Sequence, residues 1–152
     1  MAALQFTVNI PSTALSATTP TVVGFVTAPA SQRVKVLGYG LYFDGTSNSA
    51  TPVEVKLYSG TTSGTLTSGS NAQLQEPELT ETIQSVYGIA ASVQPTLSAA
   101  NTYKTFTVHP QLGYEYLAPM GQERIVGGGK SWAISINAPA AVDVRGYFLV
   151  EE

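Results

Sequence analysis

Apolar and polar residues alternate in short runs along most of this chain. At the N-terminus Leu4, Phe6, Val8 and Ile10 share one face, with Gln5, Thr7 and Asn9 opposite. Near the C-terminus Trp132, Ile134 and Ile136 alternate with Ser131, Ala133, Ser135 and Asn137, and Val142 and Val144 alternate with Asp143 and Arg145. Period-two alternation is the signature of a half-buried strand. The stretch from Lys130 to Val150 therefore reads as a β-hairpin closed by a short turn of small residues. Its alternation fails at the end. Phe148 and Val150 continue the inward face, yet Tyr147 and Leu149 are also apolar and lie on the face of Asp143 and Arg145.

Between these ends the same pattern predicts strands over Thr21–Thr27, Arg33–Phe43, Val53–Tyr58, Tyr103–His109, Leu112–Leu117 and Glu123–Val126. Residues 83–91 fit either a strand or one helical turn. Residues 44–52 (DGTSNSATP) and 92–101 are loops, and 59–82 is a long polar connection. In Val53–Tyr58 the residues Val53, Val55 and Leu57 point inward. Arg33–Phe43 is apolar on both faces, so it belongs at the centre of a sandwich or under another subunit. Gly38 and Gly40 within it suggest a bulge or a close backbone approach. The spacing of strands and turns predicts an all-β, antiparallel β-sandwich of the jelly-roll type with about eight to ten short strands.

Residues 11–20 (PSTALSATTP) read as a linker, so residues 1–20 form an extended N-terminal arm and residues 21–152 a single β-sandwich domain. Burying four side chains such as Leu4, Phe6, Val8 and Ile10 contributes roughly 6–12 kcal/mol. Ordering about eight residues costs roughly 8–16 kcal/mol. The arm therefore needs a receiving edge. That edge is either the chain's own sheet or a neighbouring subunit.

Composition narrows the function classes. Hydrophobic residues make up 43% of the 152, but charged residues only 11%, against a usual ~25%. The formal net charge is −3 and the seven Lys and Arg are scattered, which argues against phosphate neutralisation and nucleic-acid binding. There is no cysteine for disulfides or thiolate metal sites. No apolar run is long enough to span a bilayer as a helix, and the first twenty residues lack the pattern of a signal peptide. The expectation is a soluble product of the cytoplasm.

Candidate chemistry is sparse. Gly127–Ser131 (GGGKS) resembles the end of a phosphate-binding loop, but Arg124 stands where the motif needs a glycine and a strand follows the serine. His109 is the lone histidine, so a hydrolytic triad or a histidine-rich metal site lacks material. Glu76, Glu78 and Glu81 read as a solvated acidic loop without the grammar of a calcium site. No cofactor is expected. The eight tyrosines are the richer signal. Tyr114 and Tyr116 share a strand face opposite Glu115 and could stack on sugar rings, or serve as amphipathic interface residues.

The C-terminal third, GYEYLAP-x-GQERIVGGGKSWAISINAPAAVDVRGYFLVEE, resembles small β-proteins of tailed-phage structural gene regions, the capsid decoration (auxiliary or cementing) proteins. YGLYFDGTSNSATPVEVKLY is similar to their strand–loop–strand unit, so the likeness covers about half the chain. The resemblance implies a non-enzymatic virion protein on the outer capsid surface, a homotrimer, with the major capsid protein as partner and neither nucleic acid nor membrane. On that reading Leu4, Phe6, Val8 and Ile10 contact the capsid or a neighbour, and Tyr39, Leu41, Tyr147 and Leu149 form the subunit interface. The alternative is a carbohydrate-binding jelly-roll module of a tail or fibre, with Tyr114 and Tyr116 on the glycan.

Overall fold

The computed structural model describes residues 3–61, 72–75, 80–89 and 96–152. Among these are eleven strands: β1 (Gln5–Leu15), β2 (Thr21–Thr27), β3 (Val34–Phe43), β4 (Val53–Gly60), β5 (Ala72–Leu74), β6 (Val86–Ile89), β7 (Thr102–Val108), β8 (Gly113–Leu117), β9 (Arg124–Val126), β10 (Ser131–Asn137) and β11 (Val142–Glu151). A single 3₁₀ turn at Ala99–Asn101 precedes β7. The strands form an antiparallel β-sandwich. One sheet runs β5-β1-β11-β3-β8, with β9 also on β3, and the other runs β6-β2-β10-β4-β7. The segment of residues 83–91 whose periodicity was ambiguous contains the strand β6.

The C-terminal hairpin expected from the alternation does not exist. β10 pairs with β2 and β4, whereas β11 pairs with β1 and β3 in the opposite sheet. Residues 138–141 form a corner between sheets, not a hairpin loop. The inward residues of the two strands face one another instead, and the rings of Trp132 and Phe148 meet with centroids 5.5 Å apart. An inward face looks the same in a hairpin and in a sheet-to-sheet corner, so alternation could not separate the two. The supposed wet face of β10 is also covered. Ser131, Ala133 and Ser135 are buried. Ala133 packs with Val22 and Phe25 in a second small cluster, against Leu97.

The N-terminal arm is corrected too. β1 is an internal strand, bonded to β11 along almost its whole length and to β5 on its other edge. Phe6, Val8 and Ile10 are buried in this chain's own core, not displayed to a capsid or neighbour. Leu4 is partly buried and exchanges both backbone hydrogen bonds with Glu152, at 2.9 Å each. The strand runs on through Leu15, so residues 11–15 are not linker and no domain boundary falls at residue 20. A bulge between Ile10 and Thr13 shifts the register. Pro11, which has no N–H to give a ladder, sits in it. The shift lets Leu15 face the same core as Phe6 despite its odd number.

A second bulge resolves the doubly apolar strand β3. Leu149 pairs with Gly38 but Val150 with Val36, so Leu37 is the extra residue. Val34 and Val36 point inward before it; Tyr39, Leu41 and Phe43 point inward after it. Tyr39 and Leu41, expected at a subunit interface, are core residues. One sheet face, switched in phase, accounts for the pattern that seemed to require a covering partner.

Two loops lock the ends. Gly127–Lys130 is a turn closed by a Lys130 N–H to Gly127 carbonyl bond of 2.9 Å, with Gly129 at φ +67° donating to the carbonyls of Ala28 and Pro29. The strand β10 follows it, where a phosphate-binding loop needs a helix. At the other end of the chain the Glu152 carboxylate accepts the amides of Gln84 at 2.7 Å and Ser85 at 3.0 Å, tying the approach to β6 onto the end of β11.

Because β1 supplies core rather than a detachable arm, Phe6→Ala should destabilise the fold by about 3–5 kcal/mol, read as a lower urea midpoint. Removing residues 1–20 should abolish the cooperative transition. A truncated chain that still melts cooperatively at the native temperature would contradict this placement.

Candidate functional site

Two surfaces concentrate the chain's exposed aromatic and charged chemistry, and β8 has one face on each. The alternation of GYEYL puts Tyr114 and Tyr116 on the inner side of the sheet, beside the core, and Glu115 and Leu117 on its outer face.

The outer face is a ledge built from three distant segments. Leu149, Gly38 and Leu117 form one row across β11, β3 and β8, and Tyr147, Gly40 and Glu115 form the next. The glycines let large side chains lie flat. A Cβ on Gly40 would sit 2.7 Å from the Tyr147 ring, and one on Gly113 would strike the ring of Tyr42. Tyr42 and Tyr147 both donate their hydroxyls to Glu115 Oε1, the latter at 2.9 Å. These two bonds hold the Glu115 carboxyl below its usual range. The bond to Glu115 also pushes the Tyr42 phenol up to about 12. Leu117 is 71% exposed, and Leu37, Tyr147 and Leu149 are half-buried around it. Of the expected interface residues, Tyr147 and Leu149 lie here.

The inner surface is a cleft of about 410 Å³ between the sheets, bordered by β3, β4, β7, β8 and β9. Val36, Tyr39 and Leu57 line its depth and Tyr116 one side. A third bulge shapes it. Leu57 pairs with Lys104 but Tyr58 with Thr102, which makes Tyr103 the extra residue. The Tyr103 hydroxyl accepts the indole N–H of buried Trp132 at 2.7 Å. Strict alternation along β7 would put Tyr103 on the face opposite Lys104 and Phe106. The bulge brings Tyr103 and Lys104 to the cleft together.

Aromatic rings crowd behind the opening. Tyr39 lies 5.6 Å from Tyr116, 6.0 Å from Trp132 and 6.1 Å from Tyr114, centroid to centroid. Burial pushes its phenol well above the ordinary value. Its Oη is buried with no hydrogen-bond partner; the Tyr114 phenol beside it interacts without completing bonding geometry. Lys104 Nζ lies 4.5 Å from the centroid of Tyr116 and 5.6 Å from that of Tyr114, and bonds the Tyr114 hydroxyl at 3.3 Å. Arg124 lies 4.3 Å over Tyr103. Cations therefore occupy the ring faces on which a sugar was expected to stack at Tyr114 and Tyr116.

The remaining candidates are local. His109 Nδ1 accepts the Gln111 amide at 3.3 Å within its turn. Glu81 is exposed, while Glu76 and Glu78 lie outside the described residues. Among the described residues no group of three or more His, Asp or Glu could hold a metal ion, and no helix is long and apolar enough to cross a membrane. Neither a protein-family model nor a curated protein nor a solved structure matches the chain.

The phenol–carboxylate cluster has a readable pH signature. With its folded pKa raised from 10.0 to about 12, Tyr42 contributes stability that is present below pH 10 and lost as pH rises toward 12. Glu115, with a lowered pKa, contributes above the ordinary carboxylate range, and its share is lost as pH falls through its folded pKa. In a spectrophotometric phenol titration, Glu115→Gln should move one late-titrating tyrosine toward the ordinary value. Superimposable curves for the two proteins would show that the bond has no weight.

Proposed function

We propose that this chain is a non-enzymatic structural protein of a phage virion, which binds the outer capsid surface as a homotrimer and stabilises the head. The observation that carries the reading is the ledge. The three sequence segments that resemble decoration proteins, YGLYFDGT, GYEYL and RGYFLVEE, are far apart in the chain. They supply Gly40 and Tyr42, Gly113 and Glu115, and Gly146 and Tyr147 to one interlocked patch. Tyrosine and leucine around one phenol-bonded carboxylate, with Arg145 in the row of Tyr42, give an aromatic surface of the kind enriched at subunit interfaces.

The strand order supports the same reading. With the short strands β5, β6 and β9 set aside, β1-β11-β3-β8 faces β2-β10-β4-β7, and each successive strand crosses to the other sheet except at β4 to β7, which pair as neighbours in one sheet. We take this as a jelly roll of two interleaved Greek keys. The other resemblance segments make its corners. Gly45 donates to the Pro110 carbonyl at 2.8 Å, and the Asp143 amide donates to Asp44 Oδ1 at 2.8 Å. An acidic chain suits the outside of a shell better than its DNA side. The major capsid protein would be the partner, and trimerisation would multiply individually weak contacts through effective concentration.

A second reading, a carbohydrate-binding module, is favoured by the cleft beside Tyr116 and by the buried, unpartnered Tyr39 hydroxyl.

Sedimentation at micromolar concentration should give a trimer. Leu149→Asp should yield a monomer with an unchanged circular dichroism spectrum and a similar melting temperature. A wild-type protein that sediments as a monomer, or a Leu149→Asp trimer, would count against the ledge as interface. Cryo-imaging of virions with and without the protein should show density on the outer shell that disappears with it.

A further inference from the structure

We propose that the cleft between β3, β7 and β9 is a binding site for an acidic sugar residue, a hexuronate, whose carboxylate lies between Arg124 and Lys104. The proposal rests on the carbohydrate reading of the same cleft and is compatible with a place on the outside of a shell.

The first observation is electrostatic. Two of the chain's seven Lys and Arg residues line this one cleft. Among the described residues neither has a carboxylate partner. The two ion pairs among the described residues, Lys35–Glu151 and Lys56–Glu54, lie elsewhere. Each cation rests instead on a tyrosine face, Arg124 on Tyr103 and Lys104 on Tyr116. A ring face orients a cation without neutralising it. Among the described residues Glu123 is the one carboxylate on the cleft wall, and it is already engaged. It accepts the Gly121 amide at 3.0 Å within its turn, and the charge that favours its ionised form is that of Lys35. The cleft is therefore a cationic spot on an acidic protein, with its cations pre-positioned and unneutralised.

The second observation is polar and buried. Tyr39 is 3% exposed and lines the cleft, and among the described residues its hydroxyl completes no hydrogen bond, with only the Tyr114 phenol beside it. Such a group costs free energy unless something bonds it. Tyr103 accepts from Trp132, which leaves its own phenol proton to donate. A carboxylate alone would use the two cations and leave the phenols. A neutral sugar would use the phenols and leave the cations. A uronate carries both kinds of group on one ring, and its C–H face suits the apolar depth formed by Val36 and Leu57. The volume lies at the lower end of the range for small-molecule sites.

The third observation is constructional. Bulges at Leu37 in β3 and at Tyr103 in β7 flank the cleft from opposite sheets. Bulges recur where a side chain must be re-aimed at a site.

The test is calorimetric titration of the full chain with galacturonate and glucuronate, their neutral counterparts galactose and glucose, and acetate. In parallel, NMR would follow the Trp132 indole N–H, which reports on Tyr103. Uronate should bind saturably with Kd of about 0.1–1 mM and shift the Trp132 signal. Arg124→Gln, at an exposed position, should weaken binding about tenfold, which corresponds to the loss of ~1.4 kcal/mol. Tyr39→Phe should weaken it several-fold. Neutral sugars binding as well as uronates would overturn the acidic specificity while sustaining the carbohydrate reading. Acetate binding as tightly as uronate would overturn the sugar and leave a simple anion site. No saturable uptake by the wild type would overturn both the proposal and the carbohydrate reading. Unchanged affinity in Arg124→Gln would overturn the placement.

Discussion

The contact between Trp132 and Phe148 across the sandwich is the constraint on which the remaining structure depends. Each ring is fully buried, and each sits on the strand at the middle of its sheet. β10 takes β2 and β4 as neighbours, and β11 takes β1 and β3. The corner at residues 138–141 thus fixes two central strands at once, and everything earlier in the chain assembles around its last third. The N-terminal strand pairs with the C-terminal one, and the Leu4–Glu152 backbone pair closes that ladder. Contacts of such long sequence separation predict slow folding, because loop closure precedes their reward.

Much of the strand content was legible from alternation, since the side-chain period of a strand is a geometric fact. Which sheet a strand joins was not legible. Trp132, Ile134 and Ile136 face inward whether β10 pairs with β11 or packs across from it. The bulges were the other hidden element. An extra residue at Leu37 reverses the phase of β3, so a strand with one buried face read as a strand with two. The same device at Pro11–Ser12 made the second half of β1 read as linker. In both cases the apparent demand for a partner came from assuming an unbroken register.

The candidate surfaces were legible in proportion to how local their signals are. Tyr114, Glu115 and Tyr116 were placed on the correct faces because they are neighbours on one regular strand. Strict alternation puts Tyr103 and Lys104 on opposite faces, and the bulge that brings both to the cleft leaves no mark in the residue pattern. Lys104 and Arg124 stand twenty residues apart on strands of different sheets. No spacing rule joins them. Lys104 follows Tyr103 in the chain, but Arg124 follows Glu123 with no tyrosine nearer than Tyr116, so the sequence carries no mark of the pair.

The ledge and the cleft share β8 and meet at Gly38 of β3, but they draw on different side chains. Glu115 and Leu117 belong to the outer face, while Tyr114 and Tyr116 belong to the inner one, and the strand's own backbone lies between them. The tyrosines and cations of the cleft lie on the other side of β8 from Glu115 and Leu117. The two surfaces also differ in what they could recognise. The ledge holds its single carboxylate with two phenols and offers a flat apolar area, which suits a second protein surface. The cleft holds its cations on aromatic faces and leaves a buried hydroxyl unbonded, which suits a small polar anion. The interface and the ligand site proposed for the two faces of this five-residue strand thus call on different side chains, Glu115 and Leu117 for one and Tyr116 for the other.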